Sequence, residues 1–470
     1  YPMLQGGYIW DWVDQGIYLE KDGKKIFGYG GDWGPEGTPS DNNFLINGVI
    51  MPDRRWNPHA YEVRKVHQEV SFKLTKEDKL EIFNEYFFRD ISNYEFEVIL
   101  LKAGEEIKKA KVGPFALAPR QKTTVALPFG LVRDESAEYR LQIEGKIIHE
   151  EGRMAPGTLL AEEEFALTAP VLASFEPAAA EVEAVEEGGK LIIKNKAFSV
   201  AFDLATGQFH DYKVKNKILI IDGPTLSLFR PLVDNDFGAG INRKMDYLNG
   251  DITRVSSIEH KKAADGTYQV EVVYEVLGGD ASFTQTFSFD NGGKIKVEND
   301  FKAIKGEHDL LMKVGADLKL PGELSNFKWY GRGPWESYAD RKYSAQVGLY
   351  EGKVMDQYHP YIRPQESGNK TDVRWASVRI PGKEGVKIYA VGDLLDVSAL
   401  PYADDQLYPG AQKKNVHSGE LEPNGFTNLH IDHTQMGVAG INSWGSMALE
   451  EYRVSFQDYS YSYIIEPIQK

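Results

Sequence analysis

From residue 71 onward apolar side chains recur at every second position, and almost nothing shows the 3.6-residue period of a helix. Tyr94-Glu95-Phe96-Glu97-Val98 is typical of the pattern. Strands of this kind bury one face only when a second sheet covers it, which limits the chain to sandwiches or barrels. Residues 80–88, 94–101, 123–127 and 139–144 read as strands roughly ten to thirty residues apart, separated by turn residues. Residues 71–172 therefore predict a β-sandwich of about 100 residues. Residues 173–189 are rich in Pro, Ala and Glu and read as a solvated linker. Strands resume at residue 190, with a hairpin turn at Asp203-Leu204-Ala205-Thr206-Gly207-Gln208. The 190–470 block, nearly all strand, fits one large two-sheet sandwich better than two small ones.

Residues 1–70 follow another logic. Gly6-Gly7-Tyr8-Ile9-Trp10-Asp11-Trp12-Val13-Asp14-Gln15 reads as a short buried strand whose end is crowded with indoles and carboxylates. That composition suits a sugar: an indole covers the apolar C–H face of a pyranose while carboxylates accept from its hydroxyls. Such residues at a strand's C-terminal end are what a (β/α)₈ barrel offers its substrate. A long Gly/Pro/Asp loop occupies residues 28–40, and loops of that length usually serve a function. Residues 58–69 predict a helix, with Asn57 as N-cap, Pro58 at its first position, and Tyr61, Val63 and Val66 on its apolar side. One strand, one long loop and one helix amount to the last part of a barrel.

Composition narrows the partners. A net charge of −16 argues against nucleic acid or an anionic membrane surface. No run of about 18 apolar residues occurs, so no helix here is expected to span a bilayer. Tyr1-Pro2-Met3-Leu4 has no basic region and does not read as a signal peptide. A start without Met inside a barrel-like pattern suggests a native chain beginning far upstream. The absence of cysteine excludes disulfides and leaves the compartment open.

The motifs carry a family resemblance. Gly7-Tyr8-Ile9-Trp10-Asp11-Trp12-Val13-Asp14-Gln15, Tyr29-Gly30-Gly31-Asp32, Asp41-Asn42-Asn43-Phe44 and Asn47-Gly48 resemble the last barrel strands of bacterial β-galactosidases of glycoside hydrolase family 2, the lacZ type. Arg230-Pro231-Leu232-Val233-Asp234-Asn235-Asp236 and the run from Gly331 through Trp335, Glu336 and Tyr338 to Arg341 resemble that family's final domain. Tyr358-His359-Pro360-Tyr361, Pro364-Gln365-Glu366-Ser367-Gly368, Met436-Gly437 and Ser443-Trp444 extend the match in the same order. The resemblance implies a mainly β, C-terminal portion: the tail of a (β/α)₈ barrel, an immunoglobulin-like β-sandwich, and a large C-terminal β-sandwich, or supersandwich. It also implies hydrolysis of terminal β-D-galactosides such as lactose with retention, by an enzyme expected to be a homo-oligomer when full length. A non-catalytic carbohydrate-binding chain or a complementing small subunit is the alternative.

By that resemblance Trp10 forms the floor under the galactosyl ring, and Trp444 stacks on the leaving sugar. Phe44, through its backbone carbonyl, and Asn47, through its side-chain oxygen, match two ligands of a sodium ion. Asn47 also matches the contact to the galactose 6-hydroxyl. The acidic sodium ligand, the ligands of an expected magnesium, and both catalytic glutamates belong to the missing N-terminal part of the enzyme. Ser40 stands where other members carry Asn, and Asp41 is expected to brace the loop.

Several residues mimic chemistry without its context. Asn84-Glu85-Tyr86 contains the Asn-Glu pair of an acid/base, but the alternation around it places Glu85 on a sandwich strand facing solvent. Asp11 and Asp14 lie three apart on a strand, face opposite ways, and are expected to hold loops. His430 and Asp432 share a strand face with His433 opposite, and no third metal ligand shows diagnostic spacing. Trp335, Glu336, Tyr338, Asp340 and Arg341 are expected to be structural, and Trp375 to be core. A retaining glycosidase needs two carboxyl groups about 5–5.5 Å apart. The 470-residue chain by itself is therefore expected to leave a nitrophenyl β-galactoside unhydrolysed. Turnover that Glu85→Gln abolished would contradict this.

Overall fold

The computed structural model describes residues 3, 6–35, 37–179, 181–442 and 444–469. Tyr1, Pro2 and Leu4 of the N-terminal stretch and Ser443 of the Ser-Trp motif lie outside the described residues. The molecule is mainly β, and two nine-stranded antiparallel sheets dominate it. One begins as a meander from Glu183–Glu187 to Lys217–Ser227, then adds Lys313–Pro321, Phe426–Gln435, Leu395–Leu400 and Lys370–Val373. The other begins with the four consecutive strands between Thr253–Lys262 and Ile295–Ala303. The final strand, Tyr459–Ile468, joins those four to Gly385–Val391 and the rest of that sheet.

Alternation drives the sandwich together. In Ala281–Phe289 the residues Ala281, Phe283, Gln285, Phe287 and Phe289 are buried, and their neighbours from Ser282 to Thr286 are less so. Phe287 meets Phe202 and Phe209 of the opposite sheet at 5.1 and 5.5 Å between ring centroids, and Phe289 stacks on Phe198 at 5.8 Å. Offset and edge-to-face pairs of this kind add to the gain from burying the rings. The smaller sandwich packs Val70–Leu74, Lys79–Asn84 and Lys122–Ala126 against a four-stranded sheet of Glu105–Val112, Tyr94–Lys102, Tyr139–Ile147 and Leu159–Ala166.

Two expectations need correction here. The second half of the expected linker is an edge strand, Glu183–Glu187, paired with Lys190–Lys194. Gly188 and Gly189, both at positive φ, close a two-residue hairpin between them. The opening strand is not a buried strand either: Tyr8 and Ile9 are exposed. What remains is a short parallel pairing, with Asp11 N donating to Asn47 O, Val49 N to Asp11 O, Ile50 N to Trp12 O and Asp14 N to Ile50 O. Among the described residues, one neighbouring segment bonds to it, and no second ladder buries it. Val13–Ile50 is the one parallel bridge among the described residues, as two adjacent strands of a barrel tail require.

The helix Pro58–Val66 follows the second of those segments and ends three residues short of the expectation. Asn57 makes no side-chain cap. Val66 is exposed, and Tyr61 stacks on Trp335 at 3.7 Å. Glu62 accepts from the backbone N–H groups of Tyr343 and Ser344, and Arg64 pairs with Glu162 at 2.6 Å. The helix thus ties the barrel tail to both sandwiches. Among the described residues, no helix is long and apolar enough to cross a membrane.

Glu138 joins the two sandwiches. Its carboxylate accepts from Arg374 Nε and Nη2 at 2.8 and 2.6 Å, from Tyr330 Oη at 2.7 Å and from Arg140 Nη1 at 3.0 Å. Burial alone would raise its pKa, but the Arg374 guanidinium and these donors hold it below the usual carboxylate value. A depressed folded pKa means stability present above the unfolded value and lost as pH falls through the folded one. Glu138→Ala should cost about 3–5 kcal/mol at neutral pH by leaving Arg374 uncompensated. The gap in melting temperature between variant and parent should narrow as pH falls below the ordinary glutamate range. An unchanged melting temperature at pH 7 would contradict this role.

Candidate functional site

Asp14, 6 % exposed, is the anchor of the site. Its Oδ1 accepts the Gly48 N–H at 2.7 Å, and its Oδ2 faces Asn57 Nδ2 at 3.4 Å. Burial pushes this carboxyl up to about 6, against the pull of the Gly48 and Asn57 donors. The approach demands glycine at 48, because a Cβ there would lie 1.9 Å from Asp14 N. Asn57 Nδ2 and His59 Nε2 both donate to Gly48 O, at 3.3 and 3.0 Å. Asn57 Oδ1 in turn accepts from His359 Nε2 at 2.8 Å. Burial pushes both imidazoles down to about 4, so each is neutral at pH 7 and keeps its proton on Nε2 for these bonds.

This scaffold presents Asn47. Its backbone O holds Asp11 N at 3.3 Å, which sets it beside the residue following Trp10. Its Oδ1 is buried and has no hydrogen-bond partner. A buried carbonyl oxygen without a donor is a costly arrangement, and it is the atom that the family resemblance implies as a sodium ligand. Trp10 is 80 % exposed. Residues 42–45 form a single 3₁₀ turn in which Phe44 N donates to Asp41 O at 3.1 Å. Asp41 therefore braces this loop through its carbonyl. Ser40 Oγ accepts from Asn42 N at 3.2 Å. Phe44 is half exposed, and its ring centroid lies 6.0 Å from that of Trp444, itself 81 % exposed.

The Asp11–Asn47 backbone bond sets Trp10 beside the loop of Phe44 and Asn47, and the Phe44–Trp444 contact brings Trp444 to that loop to make a rim, although Trp444 follows Asn47 by about 400 residues. Two bare indoles and an orphaned carbonyl oxygen suit a pyranose: flat apolar faces for its C–H surface and an acceptor for a hydroxyl. Asp11 lies apart from Asp14 in function, accepting from Trp12 N at 2.6 Å and Gln15 Nε2 at 2.7 Å. Asn84 ends its strand, donating to Arg89 O and Leu117 O, and Glu85 accepts from Ser71 Oγ.

The polar groups of the sandwich are structural, with one surprise. Glu336 accepts from Arg341, Tyr361, Ser367 and the Gly368 N–H; burial opposes its charge, and Arg341 holds its carboxyl down at about 2. Asp340 receives the N–H groups of Val438 and Ala439, and Trp375 is half buried under the ammonium of Lys387 at 4.0 Å. His433 stacks on Tyr461 at 5.4 Å. His430, however, is joined by Asp317 and Asp404 from other segments, so acidic partners that sequence spacing could not reveal stand beside it. The Lys313 ammonium stands beside this cluster, 3.0 Å from Asp317 Oδ1, 3.4 Å from Asp432 Oδ1 and 3.3 Å from His430 Nδ1. Burial lowers His430, but Asp404 and Asp317 outweigh it and hold the imidazole up at about 9.

Comparison with known proteins fits this architecture. Residues 194–465 match the β-galactosidase small chain family, residues 80–168 match β-galactosidase domain 4, and residues 1–72 match the TIM barrel domain of glycosyl hydrolases family 2. A β-galactosidase of Priestia megaterium is 29 % identical over 100 % of this chain and 45 % of its own length. One of Lactobacillus delbrueckii subsp. bulgaricus is 33 % identical over 97 % of this chain and 44 % of its own. One of Halalkalibacterium halodurans is 29 % identical over 96 % and 44 %. The chain spans a little under half the length of the curated relatives it matches. With more than half of its residues inside the first of these matches, the chain belongs to the β-galactosidase small chain family.

Proposed function

We propose that the complete protein hydrolyses terminal β-D-galactosides such as lactose with retention, and that this chain builds one wall of the site. The observation that carries the reading is the rim itself: Trp10 and Trp444 bare to solvent, Phe44 against Trp444, and Asn47 Oδ1 buried without a partner. The names of the relatives support the sugar and the reaction.

In this reading Trp10 carries the apolar C6 side of the galactosyl ring, and Trp444 the leaving sugar. Asn47 Oδ1 accepts from the 6-hydroxyl and, with the Phe44 carbonyl, would hold sodium. The orphaned oxygen fits such a hard cation, which takes uncharged carbonyl oxygens as ligands. A bound ion there would fix the 6-hydroxyl end of the sugar. Asp14, Asn57, His59 and His359 are neither acids nor nucleophiles; they fix Gly48 and so the direction of Asn47. The proton transfer and the nucleophile come from two glutamates outside this chain.

The test separates the two indoles in the complete enzyme. Trp10→Ala should lower kcat/KM for every galactoside by about 100-fold or more, corresponding to roughly 3 kcal/mol of lost contact. Trp444→Ala should weaken lactose binding and leave inhibition by galactose analogues without an aglycone unchanged. Equal losses for both ligand types, or a silent Trp10→Ala, would refute the assignment.

The cation gives a second prediction. Asn47→Ala should weaken sodium activation and the preference for a 6-hydroxyl together, by about 1–3 kcal/mol for one unpaired buried group. Phe44→Ala should affect sodium less, since its ligand atom belongs to the backbone. Sodium dependence that survives Asn47→Ala intact would rule the site out.

A further inference from the structure

The two loops that meet at Phe44 and Trp444 come from different parts of the chain, yet one short helix, Asp234–Gly238, touches both. At its first residue, Asp234 Oδ1 accepts from Asn43 Nδ2 at 2.8 Å. Asn43 is 2 % exposed and immediately precedes Phe44 in the 3₁₀ turn. At its last residue, Gly238 lies so close to Gly445 that a Cβ on Gly445 would sit 2.3 Å from Gly238 O. Gly445 immediately follows Trp444. Between these ends Asn235 Nδ2 donates to Val438 O at 3.3 Å, on the chain leading to Trp444.

The helix is itself fixed from beneath. Asp236 Oδ2 accepts from Val233 N at 2.9 Å and from Arg230 Nη1 at 2.8 Å, and Arg230 Nη2 donates to Gly437 O at 3.2 Å. Arg230 is fully buried, so these bonds have no water to replace them. At Gly238 the helix meets Gly445 through backbone alone, with no side chain between them that could adjust. At Asp234 it meets Asn43 through one hydrogen bond, which a single substitution removes. Asp234 also faces Lys413 Nζ at 3.2 Å and Arg363 Nη1 at 4.0 Å. Two cations hold one carboxylate in place, aimed at Asn43.

We propose that Asp234 is a positioning residue that sets the spacing between the Phe44–Asn47 loop and the Trp444 loop, and so sets preference among leaving groups. Its chemistry is indirect: without the acceptor, Asn43 Nδ2 is left buried and unpaired, and the turn carrying Phe44 is free to shift relative to Trp444. The selectivity part rests on the galactosidase reading above.

The experiment compares Asp234→Ala and Asp234→Asn in the complete enzyme. Asn keeps an oxygen that can accept from Asn43 but loses the charge facing Lys413 and Arg363. Asp234→Ala should raise KM for lactose about ten-fold while changing inhibition by an aglycone-free galactose analogue by less than about two-fold. Asp234→Asn should restore most of the lactose KM, and in the crystal structure of Asp234→Ala the 6.0 Å contact of Phe44 with Trp444 should be lost. A purely structural ion pair predicts otherwise: both variants equally impaired, a lowered melting temperature, and the ring contact retained. That outcome, or an Asp234→Ala enzyme with parental KM values, overturns the proposal. A parent without galactosidase activity refutes the functional reading instead, and the ring contact in the Asp234→Ala structure then decides the positioning role alone.

Discussion

His359 sits in the large sandwich and Asn57 in the barrel tail, and the hydrogen bond between them begins a relay on which the site depends. Asn57 passes the constraint to Asp14, Asp14 to the Gly48 N–H, and Gly48 to its neighbour Asn47. Each member is buried or nearly so, where an unpaired polar group costs more than in water and a satisfied one holds a single geometry. The aromatic side chains of the rim meet the opposite condition, exposure. The molecule reconciles the two by keeping the constraint one residue behind the surface: Asn57, Asp14 and Gly48 are buried, while Trp10 and Phe44 remain open.

A second seam repeats the device. Asp32 accepts from His417 at 2.9 Å and from Asn415 at 2.6 Å, and the Tyr29 hydroxyl bonds both the carbonyl and the N–H of Val416. The loop of residues 28–40, whose length alone marked it as functional, is therefore clamped onto the sandwich. Together with Asp234 these contacts explain why a β-sandwich follows the barrel tail so closely in space. It holds the loops of the barrel end and adds Trp444 to them.

Much of the fold was legible because alternation is a local property. The strands around Phe96, Leu141 and Phe283 announce themselves, and so do the turn at Asp203 and the proline at the start of the helix. Other elements were hidden for physical reasons. Glu105–Val112 is an edge strand exposed along nearly its whole length, so its charges fall on both faces and no period survives. Glu183–Glu187 hides in the same way, although Gly188-Gly189 marked its turn. Asn57 looked like an N-cap because its position is right, yet its side chain is taken by Asp14, Gly48 and His359. The motifs pointed to the rim residues and gave no sign of their supports. Asp14 with Gly48, and Asp234 with Asn43, pair residues that only the tertiary fold brings together. Lys313 among Asp317, Asp432 and His430 was invisible for the same reason.

The central claim is that Trp10, Asn47 and Trp444 act as one binding wall, two of them touching galactose and the third its leaving group. The crystal structure of the complete enzyme with an uncleaved galactoside bound tests this directly. The account predicts the Trp10 indole against the C6 side of the galactosyl ring, Asn47 Oδ1 within hydrogen-bond distance of the 6-hydroxyl, and Trp444 stacked on the aglycone. A galactosyl ring held elsewhere, with Trp10 still facing solvent and Asn47 Oδ1 still without a partner, would contradict it.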